Sequence, residues 1–171
     1  MTYRKVAGFS LFESLITLFI IAILSFIAIP SLQSLLLQGR ADSNLSEITR
    51  AIQLARWQSI TGGHQVTLCP LEGIRCSGDW RRGITTFIDI NGNMQIDPDE
   101  MAFAHLNPIP ANDFLIYPRK GISFRSDGSL AGFYNGTFHY CAGDDKGKFS
   151  ASLTVSQTGR VTQKEQSANC D

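Results

Sequence analysis

The sequence has no surplus of charge of either sign, since fifteen lysine and arginine residues balance fifteen aspartate and glutamate residues. This balance excludes a protein that holds nucleic acid or anionic lipid by bulk charge alone. Internal repeats and low-complexity linkers are absent, and 43% of the residues are hydrophobic, which excludes disordered, collagenous and coiled-coil proteins. The 171 residues suffice for one domain with a sizeable core.

The apolar residues are concentrated near the N-terminus. Residues 11–29 contain a single ionisable group, Glu13. At 1.5 Å per helical residue this stretch nearly spans the ~30 Å hydrocarbon core of a bilayer. Because Arg4 and Lys5 precede it, the N-terminus is expected to stay in the cytoplasm and the residues after Pro30 to be exported.

Glu13 lies at membrane depth, where a carboxylate costs on the order of 2.5–3.5 kcal/mol and therefore predicts a partner cation. Cleavage after Gly8 would give Phe9 a free ammonium group one helical turn from Glu13, and a neighbouring subunit could offer such a group to that carboxylate. A plain membrane anchor and a secretory signal peptide are the alternatives. No small-residue cleavage site follows the apolar run, which continues as Ile29-Pro30-Ser31-Leu32.

The residues Gly8-Phe9-Ser10-Leu11-Phe12-Glu13-Ser14-Leu15, with Pro30 further along, resemble the type III signal of type IV pilins and pseudopilins. The resemblance implies that prepilin peptidase cleaves between Gly8 and Phe9 and that Phe9 is N-methylated. It also implies insertion into a filament that grows from the bacterial inner membrane, with Glu13 and Pro30 as assembly residues. Residues 1–8 are then a leader peptide, and residues 9–30 a transmembrane and filament-core helix.

An amphipathic helix is predicted over residues 31–61. Its apolar residues recur at three- and four-residue steps, at Leu45, Ile48, Ile52 and Ala55. We expect this stripe to cover a sheet. Gly62-Gly63 is a strong stop signal, and an interruption is expected between Pro30 and Gly39.

Residues 62–171 show the pattern of a β-rich periplasmic head. Turn signals such as Asn91-Gly92 and Thr158-Gly159 separate the predicted strands. These strands are residues 65–69, 84–90, 101–106, 114–117, 122–125, 136–141, 152–155 and 160–163. The predicted fold class is α+β, a long N-terminal helix packed on an antiparallel β-sheet head.

Three segments of the head resemble the GspH/FimT family of minor pilins and pseudopilins. They are Phe87-Ile-Asp-Ile-Asn-Gly-Asn with Asp97-Pro-Asp-Glu100, Gly136-Thr-Phe-His-Tyr-Cys141, and Val155-Ser-Gln-Thr-Gly-Arg-Val161. FimT-like members resemble DNA receptors for natural transformation, FimU-like members prime pilus assembly, and GspH-like members cap a type II secretion pseudopilus.

The resemblance implies a structural protein rather than an enzyme, whose partners are other pilins, prepilin peptidase and the inner membrane. We expect a minor pilin of a type IV pilus that primes assembly or presents a surface near the tip. The alternative is a GspH-like pseudopilin of a type II secretion system. A membrane-anchored binding or enzymatic domain is the alternative from a different class.

DNA is a further candidate partner. The FimT DNA-binding signature is Gly-Arg-x-Arg near the C-terminus, where arginines can pair with phosphates. The sequence here reads Gly159-Arg160-Val161-Thr162 and lacks the second arginine. Lys164 can replace it as a point charge but not as a bidentate fork. Arg160 and Lys164 are expected on one face of an extended strand.

All four cysteines lie in the exported part, where an oxidising compartment favours disulfides. Three connectivities are open. We favour Cys69–Cys76, which closes a short loop, and Cys141–Cys170, which joins the C-terminal tail to the sheet. Each should contribute a few kcal/mol. The spacing does not match a paired CxxC zinc site.

An acidic loop follows the second predicted strand and matches the oxygen spacing of a calcium loop. The candidate ligands stand at positions 1, 3, 5, 9 and 12 and are Asp89, Asn91, Asn93, Asp97 and Glu100. Met94 occupies the place of the template's glycine, and strands rather than helices flank the loop. We therefore favour a hairpin whose side chains satisfy backbone donors, with Ca²⁺ as the alternative and no other cofactor expected.

Overall fold

The computed structural model describes residues 10–143 and 150–165. The chain divides into two compact units, Met1–Leu36 and Leu37–Asp171. One helix, α1 (Leu11–Gly62), supplies residues to both units.

In the first unit, α1 is long and apolar enough to cross a membrane. Its most apolar window of eighteen residues has a mean hydropathy of 2.6, and no residue of that window is buried. Phe12, Phe26 and Ile27 are among the side chains that remain exposed. No other part of the described chain therefore covers the apolar side chains of this segment.

The helix is unbroken where the sequence predicts an interruption. The helix continues through Pro30 and Gly39, so the expectation of an interrupted helix is wrong. Proline removes one backbone donor and glycine costs about 1 kcal/mol. The helical turns on either side of both residues outweigh those local penalties.

In residues 37–143 and 150–165, the second unit has ten strands, all paired antiparallel. The strands are β1 (Val66–Cys69), β2 (Leu71–Glu72), β3 (Arg75–Cys76), β4 (Ile84–Ile88), β5 (Ala102–Leu106), β6 (Phe114–Ile116), β7 (Ile122–Phe124), β8 (Gly136–Cys141), β9 (Ser150–Val155) and β10 (Val161–Glu165). They form two four-stranded sheets, of order β5-β4-β1-β7 and β10-β9-β8-β6, and a small β2-β3 hairpin. A short 3₁₀ helix, Trp80–Arg82, precedes β4. The α+β class is confirmed, although the head has two main sheets where the sequence analysis predicts one.

The predicted apolar stripe of α1 lies in the core of the head. Its four residues are all buried, and Leu45, Ile52 and Ala55 have no exposed surface. They belong to one cluster with residues from both main sheets, such as Leu68 of β1 and Leu153 of β9. The helix therefore stabilises the head by burying apolar area against both sheets.

Three aromatic rings fill the part of the core near the 3₁₀ helix. The centroid of Trp80 lies 4.9 Å from that of Phe138 and 5.3 Å from that of Tyr117, both edge to face. Tyr117 and Phe138 stack at 4.1 Å. Burial raises the pKa of Tyr117, so its phenol stays protonated and donates to the carbonyl of Tyr134.

A buried carboxylate joins α1 to the sheets. Asp113 has no exposed surface and accepts hydrogen bonds from Tyr140 Oη at 2.6 Å, the Gly143 amide at 2.9 Å and Arg40 Nη1 at 3.2 Å. Burial, followed by the contact with Asp113, raises the pKa of Tyr140 and keeps it a donor. Three donors, one of them charged, offset the cost of burying the carboxylate.

Candidate functional site

The first candidate site is the membrane-depth part of α1. Glu13 is exposed, and no lysine, arginine or histidine in residues 10–143 and 150–165 forms an ion pair with it. Gly8 and Phe9 lie outside the described residues, so cleavage and methylation there stay predictions. Pro30 lies inside α1.

The hydroxyl groups of this segment are satisfied by the helix itself. Ser14 Oγ donates to the carbonyl of Ser10 at 3.3 Å, Thr17 Oγ1 to that of Ser14 at 2.9 Å, and Ser25 Oγ to that of Ile21 at 2.8 Å. Such bonds let hydroxyl groups enter lipid at low cost. The Glu13 carboxylate has no comparable internal partner in the described residues.

The second candidate site is the loop closed by a disulfide. The predicted Cys69–Cys76 bond is present, with the Cα atoms 5.6 Å apart, and it closes the β2-β3 hairpin. The sequence analysis missed this hairpin because each of its strands has only two residues. Cys170 lies outside the described residues, so the Cys141–Cys170 bond stays a prediction.

The acidic loop packs against this hairpin. The Cys76 amide donates to the Met94 carbonyl at 3.1 Å, and the Ile96 amide donates to the Ile74 carbonyl at 2.8 Å. The side chain of Met94 fills the space beside Gly121, where an added Cβ would lie 2.5 Å from Met94 Cε. The disulfide-closed hairpin and the acidic loop therefore form one structural unit.

Asp89, the first candidate calcium ligand, is turned into the protein. It has no exposed surface and accepts hydrogen bonds from Thr67 Oγ1 at 2.6 Å, the Asn93 amide at 3.0 Å and the Met94 amide at 3.2 Å. Met94 has φ 59°, so it adopts the left-handed conformation for which the calcium-loop template uses glycine. The turn of the template is present, but these donors occupy both carboxylate oxygens.

The other ligand positions also bind donors within the loop. Asp97 Oδ2 accepts from the amides of Asn91 at 2.8 Å and Asn93 at 2.9 Å. Glu100 accepts from the backbone amides of Ile90 at 2.8 Å and Asp97 at 3.1 Å. No three His, Cys, Asp or Glu side chains in the described ranges are grouped to hold a metal ion. The geometry favours the hairpin interpretation.

The third candidate site consists of Arg160, which directly precedes the edge strand β10, and Lys164, which lies in that strand. Arg160 and Lys164 are both exposed. The Arg160 amide donates to Ser156 Oγ at 3.1 Å, which fixes the backbone before the strand. Gly159 has φ 75°, and an added Cβ would lie 2.7 Å from the Gly128 carbonyl oxygen, so only glycine fits this turn.

An exposed aromatic ring that the sequence analysis did not single out lies near this turn. Phe133 is 85% exposed. Gln157 Nε2, in the turn before β10, donates to the carbonyl of Gly132 at 2.9 Å and brings the two loops together. Trp80 lies in the core and is 1% exposed, so its ring is not available to stack on a base.

Family models match both the head and the N-terminal segment of the chain. The family model for "Type II transport protein GspH" matches residues 44–159. The chain belongs to the GspH family. A second model, the "Prokaryotic N-terminal methylation motif", matches residues 3–29. A search of curated protein sequences gave no match.

Solved structures with the same fold are minor pilins and pseudopilins. Two crystal forms of the type IV minor pilin FimU of Pseudomonas aeruginosa are 18% identical in sequence, with TM-scores of 0.58 and 0.59. Each match covers 79% of this chain, with 95% and 100% of the FimU chains. The minor pseudopilin EpsH of the Vibrio cholerae Type 2 Secretion System is 12% identical, with a TM-score of 0.53 over 74% of this chain and 97% of that one.

Membership of the GspH family identifies a structural pilin or pseudopilin rather than a member of an enzyme family. The methylation motif implies processing by prepilin peptidase and assembly with other pilins or pseudopilins. It also accounts for the exposed apolar helix, since such proteins are held in the membrane before they assemble.

Calcium is expected to have no measurable effect on this GspH-family protein. Hydrogen-bond donors already bind both carboxylate oxygens of Asp89 and of Glu100 and one of Asp97. A cation would therefore have to displace several hydrogen bonds without the usual ligand set. Titration of the detergent-solubilised chain with millimolar CaCl₂ should give no heat of binding and no shift of the melting temperature. A saturable heat that disappears in the Asp97→Asn variant would overturn this expectation.

Proposed function

We propose that this chain is a minor pilin of a type IV pilus. Prepilin peptidase removes residues 1–8, the apolar part of α1 holds the protein in the inner membrane, and the same helix then packs into the filament core. The head primes assembly and presents a surface near the filament tip. The role is structural, not enzymatic.

The observation that carries this proposal is the contrast between the two halves of α1. The window that is most apolar has no buried residue, whereas the stripe from Leu45 to Ala55 is fully enclosed by the head. A helix with this exposed surface needs either lipid or other helices around it. A pilin uses both environments in succession.

The presence of Glu13 favours a helix that assembles with other subunits over a helix that only anchors the protein in the membrane. A carboxylate at membrane depth is costly, and in the described residues it has no cationic partner. Cleavage after Gly8 creates an ammonium group at Phe9, which a neighbouring subunit can place beside Glu13. The pairing sets the register between subunits, because only one axial offset brings the two charges together.

The second candidate assembly is the pseudopilus of a type II secretion system. The family model is named for a type II transport protein, and a pseudopilus would use the same helix and the same charge pair. Loss of the chain distinguishes the two, since it would abolish piliation in one case and protein secretion in the other.

DNA binding is a further candidate role of the head. Arg160 and Lys164 are exposed beside the turn at Gly159, and Phe133, on an adjoining loop, is available to stack on a base. Two cations support only weak phosphate binding.

Replacement of Glu13 by alanine should impair assembly while membrane insertion stays normal. The variant loses the intersubunit ion pair but makes the helix more apolar. We expect piliation, or secretion, to fall by at least about tenfold, equivalent to about 1.4 kcal/mol, as measured on sheared filaments with equal amounts of protein in the membrane.

The matched control is Glu47→Ala, which removes an exposed glutamate from the same helix within the head. It should assemble normally. Normal piliation and secretion in Glu13→Ala would contradict the charge-pairing account.

The double variant Arg160→Ala and Lys164→Ala should weaken DNA binding by the head surface. Each lost phosphate contact lowers the slope of log affinity against log salt by about 0.9, so the slope should fall by roughly two units at most. Gel shifts of the detergent-solubilised chain at low salt measure it, with Arg50→Ala and Arg75→Ala as the control pair. No retardation of DNA by the unaltered chain would rule this role out.

A further inference from the structure

The two ends of the head along α1 carry different loops. We call the end at which α1 enters at Leu37 the proximal end, and the end at which the helix stops at Gly62 the distal end. The acidic loop joins the distal end, because the Asp89 amide donates to the Gln65 carbonyl at 2.9 Å, three residues after Gly62. Its acidic side chains there are Asp97, Asp99 and Glu100.

Four basic residues from two separate segments meet at the other end of the first sheet. This basic cluster consists of Arg81 and Arg82 of the 3₁₀ helix and Arg119 and Lys120 of the turn between β6 and β7. Trp80 Nε1 donates to the Arg119 carbonyl at 2.8 Å and holds the two segments together.

The basic cluster is tied to the proximal part of α1. Arg81 Nη2 donates to the Ala111 carbonyl at 2.8 Å. The loop that contains Ala111 continues to Asp113, whose carboxylate lies 3.2 Å from Arg40 Nη1. Arg40 is three residues beyond Leu37, so this chain of contacts places the cluster at the proximal end.

Three of the four cations have no acidic partner in the described residues. Arg82 is engaged by Asp79 at 3.0 Å and Glu72 at 3.6 Å. Arg81, Arg119 and Lys120 are exposed, and no acidic group in the described parts of the chain lies within 4.0 Å of them. The adjoining loop, residues 107–112, carries no charge and exposes Pro108, Pro110 and Ala111.

We propose that the basic cluster contacts anionic phospholipid headgroups while the chain is held in the membrane. The inference rests on the proposed membrane storage of the apolar helix. Ile29 and Leu37 are separated by eight peptide units, roughly 29 Å at most when fully extended, so the covalent link keeps the proximal end within reach of the lipid surface. Each basic residue near an anionic surface strengthens its attraction by a factor of about five.

The contact orients the head before assembly. The cations at the proximal end are attracted to the lipid surface, so this end faces the bilayer. The interaction falls off within a Debye length, about 10 Å at 0.1 M salt. Entry into a filament lifts the head from the lipid, and weak electrostatic contacts of this kind allow that release.

Hydrogen exchange of the full chain in lipid nanodiscs tests the contact. Nanodiscs of phosphatidylcholine alone are compared with nanodiscs that contain an equal part of phosphatidylglycerol. We expect amide exchange in residues 107–112 and 118–121 to slow at least about fivefold with the anionic lipid. The effect should disappear at about 1 M NaCl, where the Debye length is about 3 Å.

Charge-reversal variants give the matched comparison. Arg119→Glu with Lys120→Glu should abolish the slowing, whereas Arg50→Glu with Arg125→Glu, exposed residues outside the cluster with the same change of charge, should retain it. Thermal unfolding of both variants verifies that the head is intact.

Equal exchange in both lipids, in a chain that the nanodiscs retain, overturns this inference and leaves the proposed function standing. A chain that is not retained overturns both. If the same segments are protected by an added oligonucleotide and not by phosphatidylglycerol, the cluster is a nucleic-acid surface and the lipid contact is wrong.

Discussion

The proposed function depends on one constraint, which is the carboxylate of Glu13 in an apolar helix. It stands in a helix whose other polar groups are satisfied internally, at a depth where an unpaired charge is costly. The charge cannot be neutralised by a cation of the described chain. In the proposed function, the ammonium group of a partner molecule pairs with Glu13 and removes that cost, and this gain favours assembly over storage in the membrane.

The head, in contrast, buries its own apolar residues and pairs its buried carboxylate. Only the apolar part of α1 therefore needs an environment supplied by lipid or by other subunits. Both main sheets close around the stripe at Leu45, and the buried Asp113 joins the proximal part of α1 to β8 through Tyr140. The hairpin closed by Cys69–Cys76 and the acidic loop support each other beside the end of β1. A head that is complete by itself can be stored at a membrane without exposing a core.

Local features of the fold could be predicted from the sequence, whereas contacts between distant residues could not. The stripe at Leu45 and the strand at residues 136–141 follow from periodicities that neighbouring residues set, and the structure has both. The division into two sheets depends on pairings between distant strands, which no local pattern encodes. Asp113 and Arg40 are 73 residues apart, so no local pattern in the sequence predicts their contact.

The cluster of Arg81 with Arg119 could not be predicted for the same reason. At Pro30 a sound local rule failed, because the helix on both sides outweighs one missing donor.

The central claim is that processing creates the cation that Glu13 requires. Mass spectrometry of the N-terminal peptide, taken from the chain in purified filaments, tests it most directly. The account predicts a peptide that begins at Phe9 and carries one methyl group on its amine. A peptide that still carries the first eight residues in assembled material would contradict the account.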